Sequence, residues 1–135
     1  IKLAHGGSEL VVDLRIQAPP NQALRGFLLQ HLYVSLPPSE ANQLRLGETL
    51  CAWDEPQRSE TDCVMFVAPS SRIQLALTLP FNVPTWTRPV RTEHRDRGVL
   101  RSSMQGVVVC AAIPLQLSSG SSWKGRLSLR ALRRR

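Results

Sequence analysis

The side chains that most often perform catalysis are all present in this chain, but their spacing forms no known catalytic arrangement. No Gly-x-Ser-x-Gly segment is present to expose a serine nucleophile at a sharp turn. The histidines, His5, His31 and His94, fall in an N-terminal segment, an apolar stretch and a charged stretch. Glu93–Asp96 combine acidic and basic groups, yet arginines flank them and no apolar wall encloses them, as acid–base catalysis usually requires. We expect no catalytic residue and no enzymatic activity.

Metal, cofactor and disulfide chemistry are not indicated either. Cys51, Cys63 and Cys110 are odd in number and contain no Cys-x-x-Cys pair, which argues against a disulfide framework and a zinc ribbon. Cys110 lies in the apolar run Val107–Ile113, where a thiol behaves as a small hydrophobic group. Neither an EF-hand spacing nor a phosphate-binding glycine loop occurs. We expect no metal, no cofactor, structural cysteines and a reducing compartment.

Positive charge is concentrated in the second half of the sequence. Residues 1–85 hold six Lys or Arg and eight Asp or Glu, a net −2, whereas residues 86–135 hold eleven and two, a net +9. Such a cluster attracts phosphates or an acidic protein surface, although a solvated loop and a frayed tail explain it equally well. The longest apolar run, Val107–Ile113, is much shorter than the ~20 residues of a membrane span, so we expect no membrane insertion.

The elements that must position these groups read as strands. Leu10–Gln17 alternates apolar and polar residues, as does Ile73–Leu79, and both patterns are typical of half-buried strands. A further strand follows the turn Ala18–Gln22, with Leu28, Leu32, Val34 and Leu36 on one face, and we expect it to form a hairpin with the first. Other predicted strands are Cys63–Val67 and the two halves of a final hairpin within Gly106–Leu132.

Three segments between these strands are less regular. Ser39–Gly47 has the cap and spacing of a short helical turn. Pro80 and Pro84 each remove a backbone donor, so we expect the preceding strand to end there or to reach a sheet edge. Thr87–Ser103 has many charges and no sustained periodicity, which predicts a long functional or mobile loop. The six legible strands predict one all-β domain over residues 1–135, an antiparallel sandwich or barrel, with a basic C-terminal tail at residues 130–135.

Three segments of the chain carry a common pattern: His5–Pro38 with Gly26 and Pro37, Val64–Trp86 with Leu79–Phe81, and Gly106–Leu132 with Ile113–Leu115. Their order resembles the later part of a picornavirus-like capsid jelly roll of the secovirus type. The resemblance rests on the order and spacing of strands over most of the chain. Its features are a Gly-containing strand that ends at a proline, a Pro-Phe element and an apolar strand end with Pro-Leu. It implies an eight-stranded sandwich of which six strands are legible, while the first two either lie upstream of Ile1 or are poorly patterned. It also implies that the chain is a cleaved or trimmed part of a polyprotein precursor.

A capsid function would need no catalytic site, because strand-end loops would join neighbouring subunits around symmetry axes. The loops concerned are Gly47–Asp62 and Thr87–Ser103. We predict that subunit contacts involve Trp53, Trp86 and Trp123, since tryptophan is enriched in interface cores, or that these rings instead cover the protein's own core. Arg88 and Arg91 join that predicted interface, and Arg133, Arg134 and Arg135 are predicted to contact genomic RNA. The expected partners are other capsid subunits, and the expected location is the virion, assembled in the host cytoplasm.

Two alternatives come from other classes of protein. A small all-β nucleic-acid-binding module would use the basic second half, but Phe27, Tyr33 and Phe66 are expected to be too scattered to form a stacking platform. A sandwich that binds only protein is the third interpretation.

Overall fold

The fold consists almost entirely of β-strands. A computed structural model describes residues 2–4, 7–35, 39 and 41–133, and every strand pairing in these ranges is antiparallel. One 3-10 turn, Pro69–Ser71, is the only helical element in this part of the chain. The nine described strands are β1 (Lys2–Ala4), β2 (Gly7–Gln17), β3 (Leu24–Val34), β4 (Gln43–Leu46), β5 (Thr49–Cys51), β6 (Gln57–Ala68), β7 (Ile73–Asp96), β8 (Val99–Leu117) and β9 (Ser122–Arg133).

The strands form two layers that share the long β6–β7 pair. The first sheet has the order β1-β2-β9-β7-β6-β4-β5 and uses the beginning of β7 and the end of β6. The second sheet has the order β3-β8-β7-β6 and uses the other halves of the same two strands. A register shift between Thr61 and Cys63 marks the point where the pair passes from one sheet to the other. This confirms the predicted all-β antiparallel sandwich, while the jelly-roll connectivity stays a prediction.

The core lies between the two sheets. Leu44, Phe66 and Leu77 project from the first sheet, and Val109 and Ile113 project from the second; each is 5 % exposed or less. Removing such side chains from water contributes about 25 cal/mol per Å² of apolar surface, which is the main term that holds the layers together. The predicted inward faces agree in part: Leu14 and Ile16 pack against the core, but Leu10 and Val12 are more than one-third exposed.

Both predicted hairpins are wrong in their pairing. Strand β2 pairs with β9, and β3 pairs with β8, so the predicted strands exist but their sequence neighbours lie in the opposite sheet. The turns that follow β2 and β8 explain this, because they lie side by side and hydrogen-bond to each other. The Ala18 N–H donates to the Ser121 carbonyl at 2.9 Å, and the Gly120 N–H donates to the Pro19 carbonyl at 2.9 Å. Each turn therefore carries the chain from one sheet to the other.

The predicted helical turn at Ser39–Gly47 is also wrong. Residues 43–46 form β4, which pairs with β5 across a turn at Gly47 and with β6 on its other side. Leu44 and Leu46 are buried while their neighbours are exposed, a period of two that the short segment did not distinguish from a helix.

Of the two outcomes predicted for the prolines of β7, the strand reaches local sheet edges and does not end. Within the described ranges, Pro84 pairs only with Glu60 of β6 and Pro89 pairs only with Val107 of β8, so each proline has a described neighbouring strand on one side only. Pro80 lies at the bend, where no ladder partner is present in the described ranges. A missing N–H is tolerated at such local edges. The long strand therefore continues to Asp96, and the loop predicted at Thr87–Ser103 is instead two paired strands.

Candidate interaction surface

An apolar surface lies on the side of the second sheet that faces away from the core. Strand β3 directs Phe27, Leu29 and Tyr33 outward, with exposed fractions of 68 %, 53 % and 52 %. Their cross-strand neighbours on β8 are Pro114, Ala112 and Val108, and Trp86 of β7 follows next to Cys110. We call this surface, Phe27, Leu29, Tyr33, Trp86, Val108 and Pro114, the apolar outer face.

This surface follows from a strand that is apolar on both sides. The core side of β3 carries Leu28, Leu32 and Val34, and the outer side carries the exposed aromatic and leucine residues. An antiparallel sheet that faces water normally alternates apolar and polar residues, whereas a strand covered on both faces does not. The sequence therefore contained this signal. It was missed because Phe27, Tyr33 and Phe66 were expected to be scattered; Phe66 is buried, but Phe27 and Tyr33 share a face with Trp86.

Positive charge surrounds the apolar outer face. Arg25 lies opposite Gln116 at one end, Arg58 lies opposite Trp86, and Arg88 lies opposite Val108. All three arginines are exposed. Glu60, opposite Pro84, is the acidic residue of the same outward row. A partner of this face must therefore cover apolar rings and accommodate a cationic rim.

A thiol and an imidazole meet on this face. Cys110 Sγ and His31 Nε2 lie 3.4 Å apart in a groove of about 450 Å³ that Trp86, Arg88 and Val108 also line. The pairing comes from the β3–β8 register, which the sequence did not reveal. Burial raises the pKa of the Cys110 thiol, so the protonated form is favoured. A nucleophilic cysteine needs the opposite shift.

The ends of β7 and β8 form a hairpin that extends beyond both sheets. Residues 91–96 pair only with residues 99–104 within the described chain, and every residue from Arg91 to Ser102 is exposed. The turn residues Arg97 and Gly98 have φ values of 50° and 81°, the left-handed conformations that a tight two-residue hairpin turn uses. Val99 and Leu100 at the tip are 59 % and 62 % exposed. We call residues 91–104 the arm.

Hydrogen bonds fasten the arm to the apolar outer face. Gln105 has no cross-strand partner because the ladder shifts register there. Its carbonyl accepts bonds from the Tyr33 hydroxyl at 3.1 Å and the Ser35 hydroxyl at 3.0 Å. Its side-chain amide donates to Thr92 Oγ1 at 2.9 Å. Arg91 also donates to the Asp54 carbonyl at 3.0 Å, so the base of the arm is held from two sides.

The three predicted interface tryptophans differ in accessibility. Trp53 is 9 % exposed and belongs to the core, and Trp123 is half-buried and packs over Gly125. Trp86 is 37 % exposed and lies on the apolar outer face. Trp86 therefore offers the most accessible ring, whereas Trp53 and Trp123 cover the protein's own core.

The predicted arginines lie in two separate regions. Arg88 borders the apolar outer face, and Arg91 lies at the base of the arm, 3.8 Å from the Asp54 carboxylate. Arg133 is the exposed last residue of β9 and lies opposite Ile73. The predicted basic tail is thus part of a strand from Arg130 to Arg133, and Arg134 and Arg135 lie outside the described residues.

The outward side of the first sheet is polar by comparison. Arg126 Nε donates to Asp13 Oδ1 at 2.7 Å, and this hydrogen bond is the main cause that raises the pKa of Arg126. Arg15 lies directly opposite Lys124 in the same ladder. This is the water-facing side that an antiparallel sheet normally presents. The two outward surfaces of the sandwich therefore differ in chemical character.

Other kinds of site find no support in the described residues. They contain no group of three His, Cys, Asp or Glu side chains placed to hold a metal ion, and all three cysteines are free thiols. None of them belongs to a helix with the length and apolar character that crossing a membrane requires. No protein-family model matches the chain, and the comparisons with curated proteins and with solved structures found no match.

Proposed function

We propose that this protein is a structural subunit that joins copies of itself or sister subunits through the apolar outer face, as the coat protein of a virus shell does. The observation that supports this proposal most strongly is an exposed apolar cluster on one sheet face, formed by Phe27, Leu29, Tyr33 and Trp86. Contiguous apolar surface of this kind marks protein–protein contacts.

The size of the face fits this role when the arm is included. Three strands spaced by about 4.8 Å, with β3 rising about 3.4 Å per residue over eleven residues, present roughly 500 Å². A specific interface buries about 800 Å² on each partner. The arm supplies the remaining area, since it extends from the edge of the same face and its apolar tip is exposed.

The resemblance to picornavirus-like capsid proteins supports the shell interpretation, and it makes the virion the proposed location. Genomic RNA would then meet a basic surface. Arg133 is exposed at the end of β9, and with Arg134 and Arg135 it remains the proposed RNA contact. The assembled shell, rather than a reaction, would be the product of this protein.

The test compares two serine variants in solution. Phe27→Ser with Leu29→Ser removes exposed apolar surface from the outer face, and Phe81→Ser removes a ring that is 40 % exposed at the bend between the sheets. Light scattering from about 1 to about 100 µM should show association of the wild type and of Phe81→Ser. The double variant should associate at least about tenfold more weakly with unchanged unfolding free energy. A wild type that stays monomeric throughout would overturn the proposal.

A nucleic-acid-binding module is the second candidate, because the structure brings together what the sequence seemed to scatter. Phe27, Tyr33 and Trp86 share one face with Arg25, Arg58 and Arg88. Bases stack on such rings with about 1–3 kcal/mol each, and arginines neutralise phosphates. A monomer that binds a labelled single-stranded RNA with a steep salt dependence, and loses affinity in Phe27→Ala, would favour this candidate.

A further inference from the structure

We propose that the tip of the arm of one copy docks on an acidic segment, residues 47–62, of another copy. This inference rests on the proposed function, because it specifies a contact through which the subunits assemble. Both segments carry exposed groups: basic and apolar side chains at the tip of the arm, and carboxylates with Leu50 in the acidic segment.

The arm carries groups that no residue in the described part of the chain covers. Val99 and Leu100 are about 60 % exposed at the tip. Arg101 forms an ion pair with Asp96 at 3.4 Å, but Arg95 and Arg97 form none within the described part of the chain. The tip lies about 20 Å from the base of the arm, given roughly 3.3 Å per residue over six residues. It is therefore placed to contact a second molecule.

The acidic segment offers a matching surface. It holds five carboxylates and one arginine, a net −4, and all five carboxylate residues are exposed. Within it, Leu50 is 57 % exposed beside a groove of about 380 Å³ that Cys51, Trp53 and Asp54 also line. The carboxylate residues are Glu48, Asp54, Glu55, Glu60 and Asp62.

The acidic segment also contains a strand, β5, with backbone hydrogen-bonding groups available along one edge. Strand β5 pairs with β4 and with no other described strand, so one edge of β5 is unpaired. Such an edge accepts an additional strand from another chain. One strand of the arm can add there, which would bring Leu100 towards Leu50 and the tip arginines towards the carboxylates.

One contact within the chain already joins an arginine of the arm to the acidic segment. Arg91 at the base of the arm bonds to the Asp54 carbonyl at 3.0 Å and lies 3.8 Å from its carboxylate. The arginines at the tip lie too far out to repeat that contact on the same molecule. The apolar outer face is a poorer partner for the tip, because Arg25 and Arg88 at its rim would repel Arg95 and Arg97.

The experiment exchanges charges between the two surfaces. Arg95→Glu with Arg97→Glu reverses the tip, and Glu48→Lys with Glu55→Lys reverses the segment. Each double variant alone should self-associate at least about tenfold more weakly by sedimentation velocity, whereas an equimolar mixture should recover association. Arg15→Glu with Lys124→Glu, on the outward side of the first sheet, changes the net charge as much as the tip variant and should associate like the wild type.

The outcomes separate the two proposals. If the wild type associates and both charge reversals associate equally well, the arm contact is wrong and assembly through the apolar outer face stands. If the mixture fails to recover association although both variants keep their circular dichroism spectra, the arm contact is also wrong. If the wild type does not associate at all, the proposed function fails and this inference fails with it.

Discussion

At the scale of single residues, Gly106 is a position where the packing leaves no room for a side chain. It lies on β8 next to the register shift at Gln105, and β3 passes directly beside it. A Cβ atom at this position would collide with the Val34 carbonyl oxygen and come within 2.9 Å of the Tyr33 ring. The absence of a side chain is therefore what lets β3 approach closely enough to fasten the arm.

Gly106→Ala should destabilise the protein by about 2 kcal/mol or more, because backbone and ring atoms must move apart. Gly26→Ala is the matched control, since no atom lies within 4 Å of its added methyl group. Its unfolding free energy should stay within about 0.5 kcal/mol of the wild type. Urea denaturation measures both. Equal effects of the two substitutions would show that the close approach at Gly106 does not matter.

Two thiols should make stability depend on alkaline pH. Burial, and for Cys63 also the nearby Asp62, raises the pKa of Cys63 and Cys110 above the ordinary value of 9.0. The folded state then holds protons that the unfolded chain releases, so stability is complete below pH 9.0 and falls as pH rises towards the folded pKa values. The unfolding free energy should fall less between about pH 8 and about pH 10.5 in Cys63→Ser with Cys110→Ala. An identical fall in both proteins would contradict this.

At the scale of elements, the arm depends on a few hydrogen bonds at its base. Gln105 accepts bonds from β3 through its carbonyl and donates to the arm through its side chain. Beyond this point the two strands pair only with each other in the described chain. An isolated two-stranded hairpin is marginally stable in water. The base therefore determines how well the arm is ordered.

Tyr33→Phe should loosen the arm, because it removes the hydroxyl that binds the Gln105 carbonyl at 3.1 Å. The expected cost is about 0.5–1 kcal/mol, with faster hydrogen exchange at the amides of residues 92–103. Ser59→Ala serves as control, since among the described residues that hydroxyl bonds only to the carbonyl of the adjacent Glu60. Exchange rates in the arm that match those of the control would rule out this role for Tyr33.

The sequence predicts most strands but not their partners. Alternation identified β2 and the first part of β7 because each has one face in the core. It missed the arm, since a hairpin exposed on both sides needs no apolar period. Pairing depended on the turns after β2 and β8, whose mutual hydrogen bonds join residues far apart in sequence. The Cys110–His31 contact was hidden for the same reason, because it follows from the β3–β8 register, whereas the two apolar sides of β3 can be read in the sequence itself.

At the scale of the whole molecule, the sandwich has two unlike outward surfaces. The first sheet presents polar groups such as the Asp13–Arg126 ion pair, and the second presents exposed aromatic rings with a cationic rim. The arm and the acidic segment add a second pair of unlike surfaces. A molecule with such directional surfaces favours repeated contacts between different patches, which close into rings or shells when the geometry allows.

Association should respond to salt because one of the two proposed contacts is ionic. Between about 50 mM and about 500 mM NaCl, the dissociation constant of the wild type should rise about tenfold. The reason is that salt weakens the attraction between exposed charges, which at 0.1 M is already screened over about 10 Å. The Arg95→Glu with Arg97→Glu variant should respond much less. Sedimentation at matched protein concentrations measures both. Tighter wild-type association at high salt would indicate that apolar contact alone holds the copies together.

The ladder between β2 and β9 has a consequence for biosynthesis. Ser8 pairs with Ala131 and Gln17 pairs with Ser122. The backbone groups of β2 therefore find these hydrogen-bond partners only after β9 has been synthesised. Closing so long a loop is entropically slow, and proteins dominated by such distant pairings fold slowly. Newly made chains therefore expose unpaired strand edges and apolar surface for some time, and these can aggregate. Cells producing this protein should rely on chaperones during that interval.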